Sequence, residues 1–349
     1  MSLTKLFQSL YIYNESELFY KNYYFAKQNP ESLKLFIHNL NEDYIVNNNL
    51  IIPYIYNEKI PQFMKDETYF ECSSKDNVIL IKHNRYTPQF MHEHIFFEMI
   101  YVLSGKCHQI ISHHSIHMKE GDICIVSPGV KHSIGVFDDS IIINVLIRRS
   151  TFEDAFFDFL RNNNLLSSFF LNSIYKNKHN DYILFHTNND KSIEMSILEM
   201  FSEYSKQDRY YNNILNHLIM VFFAKLLRGY ENSIEVPNMT KKDNLKNTHI
   251  LTYIQDNYFD ITLEELANEF HFSIPYCSKI IKEIAGCNFT QLLQRIRLER
   301  AESLLINTNI SIADISNNVG YPNVEHFIRL FNKKYNMSPS KYRKNTSKI

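Results

Sequence analysis

Between residues 77 and 149 the chain alternates short apolar runs with brief polar turns. The runs are rich in Ile, Val, Phe and Tyr, the residue types that favour strands. Gly105 and Gly121 lie in two of the intervening turns. Many short strands at close spacing predict a β-sandwich or a small β-barrel. The clearest predicted strands cover residues 78–81, 97–103, 123–126 and 141–146.

Beyond residue 150 the apolar residues recur with the 3.6-residue period of a helix. We expect helices over residues 151–162, 190–205 and 209–228. The third helix carries one apolar stripe, which fits either packing on the barrel or a dimer seam. The stripe consists of Leu215, Ile219, Phe222 and Leu226.

Two further segments have less distinct patterns. Residues 1–76 are aromatic and rich in Asn, and they predict only short helices of uncertain role. Residues 231–245 are polar and include Pro237, a composition typical of an interdomain linker.

The last hundred residues contain a pair of short helices joined by a tight turn. Thr262 and Glu265 have the spacing of a capping box, which predicts the start of the first helix. Ser273 is placed to cap the second helix, and Pro275 lies in its first turn, where its missing N–H is tolerated. A second helix over about 274–284 with a polar and basic outer face predicts a helix-turn-helix unit.

The same pattern recurs about 50 residues later. Ser311 and Asp314 repeat the capping spacing, Gly320 marks the turn, and Asn323 is placed to cap a helix that runs to about Tyr335. An uninterrupted helical segment over residues 290–307 separates the two units. An internal repeat of this kind is stronger support than either unit alone.

Charge is distributed unevenly along the 349 residues. The whole chain has 37 Lys and Arg against 38 Asp and Glu, which excludes a wholly basic nucleic-acid coat protein. Residues 241–349 have a net charge of +4 and the rest of the chain −5, which favours a C-terminal part that faces nucleic acid.

Five dispersed cysteines without a C-x-x-C spacing argue against a disulfide framework and predict a reduced, cytoplasmic protein. No apolar stretch reaches the ~20 residues of a membrane span, so we expect no membrane partner.

Three segments of the chain carry a family resemblance: ITLEELANEFHFSIPYCSKIIKEIAG, FTQLLQRIRLERAESLL and SIADISNNVGYPNVEHFIRLFNKKYNMSPSKYR. From about residue 250 to 343 the sequence resembles the AraC/XylS family of bacterial transcription regulators. The resemblance implies an all-α domain of two helix-turn-helix subdomains joined by a long helix. Their recognition helices would enter successive major grooves of double-stranded DNA, about 34 Å apart.

The resemblance also assigns roles to exposed residues of the two recognition helices. Lys279 and Arg329 have donors suited to guanine, and Glu325 can accept from cytosine. Cys277 and Ile328 depart from the usual pattern, and Ile328 would either contact a thymine methyl or fill a gap. The expected base contacts are Pro275, Ser278, Lys279, Glu325, His326 and Arg329. The expected phosphate contacts are Ser273, Lys282, Asn323, Lys333, Lys334 and Arg343.

The predicted barrel contains a second motif. His92, His94, Glu98 and Gly105 match H-x-H-x3-E-x6-G, the first cupin motif, and a shortened second motif ends at His132. The Asn that closes the second motif in cupins is missing after His132. The region resembles the cupin-type sensor of AraC-like regulators, in which the barrel mouth usually binds a small organic effector.

Two interpretations of these four residues remain open. They are either part of an effector pocket or, as three histidines and one carboxylate, ligands of a divalent metal. A cupin enzyme that activates water or oxygen on such a metal is the rival class. The fused DNA-binding segment argues against it, and no required cofactor is predicted.

Together these patterns predict a multidomain transcription regulator that is not an enzyme. We expect a cupin barrel, or double-stranded β-helix, over residues 77–148 and a helical dimerisation region over 149–230. The DNA-binding domain would cover residues 246–349. The expected protein is a homodimeric activator that is controlled by a sugar or related metabolite and recruits RNA polymerase. A metal- or redox-responsive regulator is the alternative.

Overall fold

A computed structural model describes residues 3–48, 50–53, 63–64, 69–70, 76–149, 151, 165–175, 182–237 and 241–347. The chain divides into two compact units. The first unit comprises Met1–Phe70, Asp76–Arg148 and Asp181–Pro237. The second comprises Glu71–Lys75, Arg149–Asn180 and Asn238–Ile349. The predicted helix over residues 151–162 lies almost entirely outside the described residues.

The first unit begins with four short helices, as the sequence predicts: α1 (Leu3–Tyr11), α2 (Glu15–Ala26), α3 (Pro30–His38) and α4 (Glu42–Asn47). Asn14 caps α2 in a reciprocal capping box with Glu17. Glu17 also receives ion pairs from Lys82 and Arg85, which belong to the barrel region. Ion pairs as well as packing therefore hold the N-terminal helices against the barrel.

Ten strands make up the β structure of the described chain. They are β1 (Phe63–Met64), β2 (Val78–Lys82), β3 (Glu93–His94), β4 (Phe97–Ser104), β5 (Lys106–Ile111), β6 (His114–Lys119), β7 (Asp122–Val126), β8 (His132–Gly135), β9 (Ile141–Ile147) and β10 (Tyr182–His186). A five-stranded sheet has the order β10-β7-β4-β9-β2, and a three-stranded sheet has the order β6-β5-β8. The four strands predicted from the apolar runs are confirmed.

The core of the barrel lies between these two sheets. Strands β4, β7 and β9 are almost wholly buried, so their sequences are nearly continuous apolar runs rather than alternating ones. Strands β5 and β6 alternate, with Cys107 and Met118 inside and Lys106 and Lys119 outside. Closure of the two sheets around a shared apolar cluster gives the predicted barrel.

Strand β10 extends the barrel beyond the predicted limit at residue 148. It pairs antiparallel with β7 in a register that places Tyr182 opposite Val126 and His186 opposite Asp122. The segment predicted as wholly helical over 149–230 therefore contains a strand of the barrel sheet.

Two helices predicted from periodicity are confirmed as α6 (Lys191–Lys206) and α7 (Tyr211–Tyr230). They pack against each other and on β2. The apolar stripe of α7 points into this packing, and its four residues are 0% exposed. Because a fully buried side chain cannot contact a second copy, the predicted dimer seam is wrong for these residues. They are Leu215, Ile219, Phe222 and Leu226.

The second unit is all-α over its described residues. It contains α5 (Leu165–Tyr175), α8 (Lys241–Asp256), α9 (Leu263–Glu269), α10 (Ile274–Ala285), α11 (Phe289–Asn307), α12 (Ile312–Asn318), α13 (Val324–Tyr335) and α14 (Pro339–Ser347). Helix α8 begins inside the predicted linker, since no Gly or Pro interrupts the chain after Pro237. None of the described helices has the length and apolar character needed to cross a membrane.

Helix α5 has an unexpected place in the second unit. It lies in the chain between β9 and β10 of the barrel, yet it packs against α8 and α10. Its apolar side chains Leu166, Phe169 and Phe170 are fully buried. The chain therefore passes between the two units several times, rather than through one linker.

Candidate functional site

The first helix-turn-helix is formed by α9 and α10. Thr262 and Glu265 form the predicted capping box at the start of α9. In the turn, the backbone N–H of Phe272 donates to the carbonyl of Ala267 over 2.8 Å. Helix α10 ends at Gly286, which adopts the left-handed conformation (φ +66°) that favours glycine.

The second helix-turn-helix, α12 and α13, repeats this construction. Ser311 caps α12, and the N–H of Tyr321 donates to the carbonyl of Ser316 over 2.8 Å, as in the first turn. Helix α13 ends at Asn336 in the left-handed conformation. Equivalent caps, turns and ends in two segments 49 to 50 residues apart confirm the predicted repeat.

Helix α11 holds the second subdomain through a partly buried carboxylate. Glu302 accepts hydrogen bonds from Tyr335 (2.7 Å) and from Tyr342, which lie on α13 and α14. On the side of the first subdomain, Arg297 donates to the backbone carbonyls of Tyr258 (2.9 Å) and Phe259 (2.7 Å). These bonds give the long helix the connecting role that the sequence predicts.

Five of the six expected base contacts are exposed, and Ser278 is partly buried. The exposed ones are Pro275, Lys279, Glu325, His326 and Arg329. All six lie on α10 or α13, whose buried faces carry residues such as Ile281 and Phe331. An exposed, partly cationic helix face supplies donors for base edges.

The expected phosphate contacts fall into three groups. Ser273 and Asn323 are the N-caps of α10 and α13, where exposed helix N-termini favour anions. Lys282 and Lys333 are exposed, and Arg343 is partly buried. Lys334 differs from the expectation, because its Nζ is 2.8 Å from Oε1 of Glu299 on α11 and joins two helices.

The two departures from the family pattern are explained by packing. Cys277 is 1% exposed in the core of the first subdomain, and burial raises the pKa of its thiol. Ile328 packs against the apolar cluster of the second subdomain. The gap-filling interpretation of Ile328 therefore fits better than contact with a thymine methyl.

The barrel brings together the four residues of the cupin motif. The backbones of His92 and His132 exchange two hydrogen bonds of 2.9 Å each, which places their rings 4.3 Å apart. His94 lies 4.8 Å from the His132 ring. Nε2 of His94 and of His132 are 3.2 and 2.9 Å from Oε2 of Glu98. His94, Glu98 and His132 are buried.

The three histidines share one orientation. Their Nδ1 atoms lie 3.2, 2.7 and 3.0 Å from the backbone oxygens of Phe90, Phe96 and Val130 respectively. Because a carbonyl oxygen only accepts, each Nδ1 carries a proton, and a neutral ring has its lone pair on Nε2. Two such lone pairs facing the Glu98 carboxylate repel it unless a proton or a cation lies between them.

Asn144 completes this cluster and was not predicted. Its Nδ2 donates to Oε1 of Glu98 over 2.7 Å, so it orients the carboxylate from β9. Burial alone would raise the pKa of Glu98, but His132 and His94, when a proton on Nε2 makes them cationic, donate to its carboxylate and hold that pKa well below its usual value. The sequence feature that could have revealed Asn144 is its position as a single polar residue within the apolar run of residues 141–147.

The donor set fits a divalent metal ion. One ligand atom each from His92, Glu98 and His132 lie within 4.8 Å of one another. Burial and the neighbouring His132 lower the pKa of His92 to about 4, so the ring is neutral and able to ligate near pH 7. Imidazole and carboxylate ligands with backbone-oriented Nδ1 atoms suit Zn²⁺, Mn²⁺ or Fe²⁺.

Comparison with known proteins identifies both domains. Residues 266–345 match the helix-turn-helix domain family, and residues 77–140 match the cupin domain family. Among curated proteins, an uncharacterised HTH-type transcriptional regulator, YdiP of Escherichia coli K12, is 33% identical over 43% of this chain and 49% of its own length. The transcriptional activator RhaR of Mannheimia succiniciproducens is 22% identical over 77% of this chain and 93% of its own.

This chain spans about half of the length of the first curated relatives that it matches, or less. AdaA of Bacillus subtilis, a bifunctional transcriptional activator and DNA repair enzyme, is 37% identical over 27% of this chain and 45% of its own. The crystal structure of ToxT from Vibrio cholerae O395 aligns with 78% of this chain and 98% of its own at 17% identity, with a TM-score of 0.33. The relatives are mainly transcription regulators. This chain carries a cupin domain followed by an AraC-type helix-turn-helix domain, and its relatives are AraC-family transcription regulators.

Proposed function

We propose that the chain is a sequence-specific DNA-binding regulator of transcription whose barrel senses a small molecule. The observation that carries this proposal is the repeated helix-turn-helix with exposed recognition helices, which display Lys279 and Arg329. Base edges in the major groove read such donors, while the neighbouring lysines bind phosphates. The function is a binding function, and catalysis forms no part of it.

The effector in this proposal binds at the His92–Glu98–His132 end of the barrel. That end gathers polar groups beside the apolar cluster of the barrel core. A sugar or related metabolite has the hydroxyl groups that these side chains would bind. RhaR, a relative, is a transcriptional activator. Activation through RNA polymerase in the cytoplasm is the corresponding mode for this chain.

Regulation requires that effector and DNA share a conformational equilibrium. The effector must bind one arrangement of the protein more tightly than another, and that difference sets the maximum change in DNA affinity. Helix α5 supports such coupling, because it connects β9 and β10 of the barrel yet packs on α10, the first recognition helix.

A second candidate, a metal-responsive regulator, is favoured by one observation. The three Nδ1 atoms are bonded to backbone oxygens, so the Nε2 atoms are the ones available near Glu98. His92, Glu98 and His132 would hold the ion, with His94 beside them. The positive charge of the ion would offset the repulsion between the Nε2 lone pairs and the Glu98 carboxylate. Asn144 would orient the carboxylate.

The homodimer of this proposal uses the outer face of α7 rather than the buried stripe. Ile214 and Val221 on that face are 44% and 52% exposed, and Leu218 lies between them. The face has no charged residue from Tyr210 to Ala224. An uncharged apolar face is self-complementary about a two-fold axis, as an isologous interface requires.

Selection of DNA by the intact protein tests the DNA-binding proposal. Duplexes from a randomised library would be enriched on the purified chain, and binding of the enriched sequences measured by fluorescence anisotropy. We expect paired sites and a loss of about 1–3 kcal/mol of binding free energy in Arg329→Ala at one base position. Failure to enrich any sequence, with and without Zn²⁺, would contradict the proposal.

Metal titration tests the second candidate. Zn²⁺ or Mn²⁺ added to the chelator-treated protein should bind with one ion per chain, and His132→Ala should abolish this binding. His108→Ala, on the outer face of β5, is the matched control and should bind as the original protein does. Equal binding by both variants would place the ion elsewhere.

A further inference from the structure

Two side chains in the second recognition helix are bonded to each other. His326 and Arg329 are one turn apart on α13, and Nη2 of Arg329 is 2.9 Å from Nδ1 of His326. A guanidinium group has donors and no acceptor, so Arg329 donates and Nδ1 accepts. The imidazole must therefore carry its proton on Nε2.

His326 has two further contacts, one at its backbone and one at its ring. Oδ1 of Asn323 caps the backbone N–H of His326 over 2.9 Å. The ring of Tyr321, which is 7% exposed, meets the imidazole edge-on with centroids 5.9 Å apart. The Tyr321 ring is in turn stacked below the guanidinium of Arg297 at 5.4 Å. These contacts restrain His326 on the exposed face of α13, next to Arg329.

We propose that His326 is a positioning residue that fixes the guanidinium of Arg329 for recognition of a guanine base. This inference rests on the proposed DNA-binding function. Arginine binds O6 and N7 of guanine through two parallel hydrogen bonds, which require one orientation of its planar group. A bond to His326 selects that orientation before DNA arrives, so less side-chain freedom is lost on binding.

The first recognition helix has no such arrangement around its corresponding cation. Lys279 lies 3.9 Å from Glu283, and both side chains are largely exposed. An ammonium is a point charge with rotating donors and does not need a fixed plane. We therefore expect the second half of the binding site to discriminate guanine more strongly than the first half.

Immobilising a long side chain costs about 0.5–1.5 kcal/mol, which corresponds to a roughly 2- to 12-fold change in affinity. His326→Ala should weaken binding to the selected duplex by that factor. Arg329→Ala should weaken it by about 5- to 150-fold, the range of a lost bidentate base contact. The double variant should bind like Arg329→Ala, because His326 acts only through Arg329.

Two conservative variants separate positioning from direct contact. The Oδ1 atom of Asn occupies the place of Nδ1, so His326→Asn should restore the original affinity. The amide of Gln reaches the place of Nε2 instead, so His326→Gln should resemble His326→Ala. The duplex used is the one enriched from a randomised library by the intact chain, and binding is measured by fluorescence anisotropy.

Substitution of guanine by 7-deazaguanine, which lacks N7, gives a second readout. The original protein should lose affinity at one position of the duplex, and Arg329→Ala should lose nothing further there. Rescue by Gln but not by Asn, or multiplying effects in the double variant, would overturn the inference. Lys333→Ala is the control for DNA binding itself and should weaken all duplexes alike. If no duplex is enriched at all, the proposed function fails, and this inference fails with it.

Discussion

Arg85 and Glu17 form a bidentate ion pair in the interior of the first unit. Nε of Arg85 donates to Oε1 of Glu17 over 2.9 Å, and Nη2 donates to Oε2 over 3.0 Å. Glu17 is 0% exposed and Arg85 2%. Since Glu17 lies on α2 and Arg85 follows β2, this pair joins the N-terminal helices to the barrel.

Removal of the Glu17 charge should loosen that junction. Glu17→Gln leaves Arg85 buried without a counter-charge, so we expect the first unit to lose about 3–5 kcal/mol of unfolding free energy. Thermal unfolding followed by circular dichroism measures the loss. Lys206→Ala, which breaks the more exposed pair with Glu203, is the control and should cost at most about 1 kcal/mol.

The same pair predicts how stability depends on pH. Burial by itself would raise the pKa of Glu17, but hydrogen bonds from Arg85 and Lys82 outweigh it and hold the pKa below its usual value. The stabilisation is therefore complete above the unfolded pKa, about 4.3, and decreases as pH falls toward the folded pKa. Glu17→Gln should lose less stability than the original protein over this acidic range. Parallel curves for both proteins would contradict this assignment.

Helix α5 should unfold with the C-terminal unit rather than with the barrel. Phe170 of α5 is fully buried, so Phe170→Ala should destabilise its unit by about 3–5 kcal/mol. Hydrogen exchange of the full chain should then quicken in α8 and α10, against which α5 packs. Phe222→Ala, at an equally buried site of α7, should instead quicken exchange in the barrel unit. Faster exchange of the barrel strands in Phe170→Ala would show that α5 belongs there.

The sequence predicted the elements whose ends are chemically marked. Thr262, Ser273 and Ser311 begin helices by capping, and the apolar runs of the barrel core are long enough to identify strands. The cupin spacing likewise located His92, His94, Glu98 and His132, because this site depends on a local motif.

Features that depend on distant contacts could not be predicted in this way. Helix α5 and strand β10 are close together in the chain. They belong to different units because β10 pairs with β7 whereas α5 packs on α8. The α7 stripe shows the same limit. Both faces of α7 carry apolar residues, and periodicity does not reveal which face meets β2.

The exposed face of α7 makes the dimer testable. Val221→Glu places a charge in the middle of the apolar face and, across a two-fold axis, near its own copy. We expect this variant to shift the protein from dimer to monomer in sedimentation velocity while its circular dichroism is unchanged. Met195→Glu, at a 48% exposed site on α6, should leave the dimer intact. Dissociation by both variants, or by neither, would contradict an interface on α7.

Gly320 should be far less replaceable than the residue at the same place in the first turn. His271 adopts a positive φ of 54° there, so the conformation alone does not demand glycine. At Gly320 (φ +82°) an added Cβ would lie 2.4 Å from the carbonyl oxygen of Phe259, a backbone atom that Arg297 also holds. Gly320→Ala combines that clash with a strained conformation that costs about 1–3 kcal/mol on its own.

We therefore expect Gly320→Ala to lower the unfolding temperature of the C-terminal unit. The same variant should bind the selected duplex more weakly at both half-sites. Gly229→Ala is the matched control, since Gly229 lies in α7 with open space around it. Alanine is the better helix former by about 0.5–1 kcal/mol, so the control should be neutral or stabilising. Differential scanning calorimetry of the two variants separates these effects. An unchanged transition in Gly320→Ala would mean that the Phe259 carbonyl moves away at little cost.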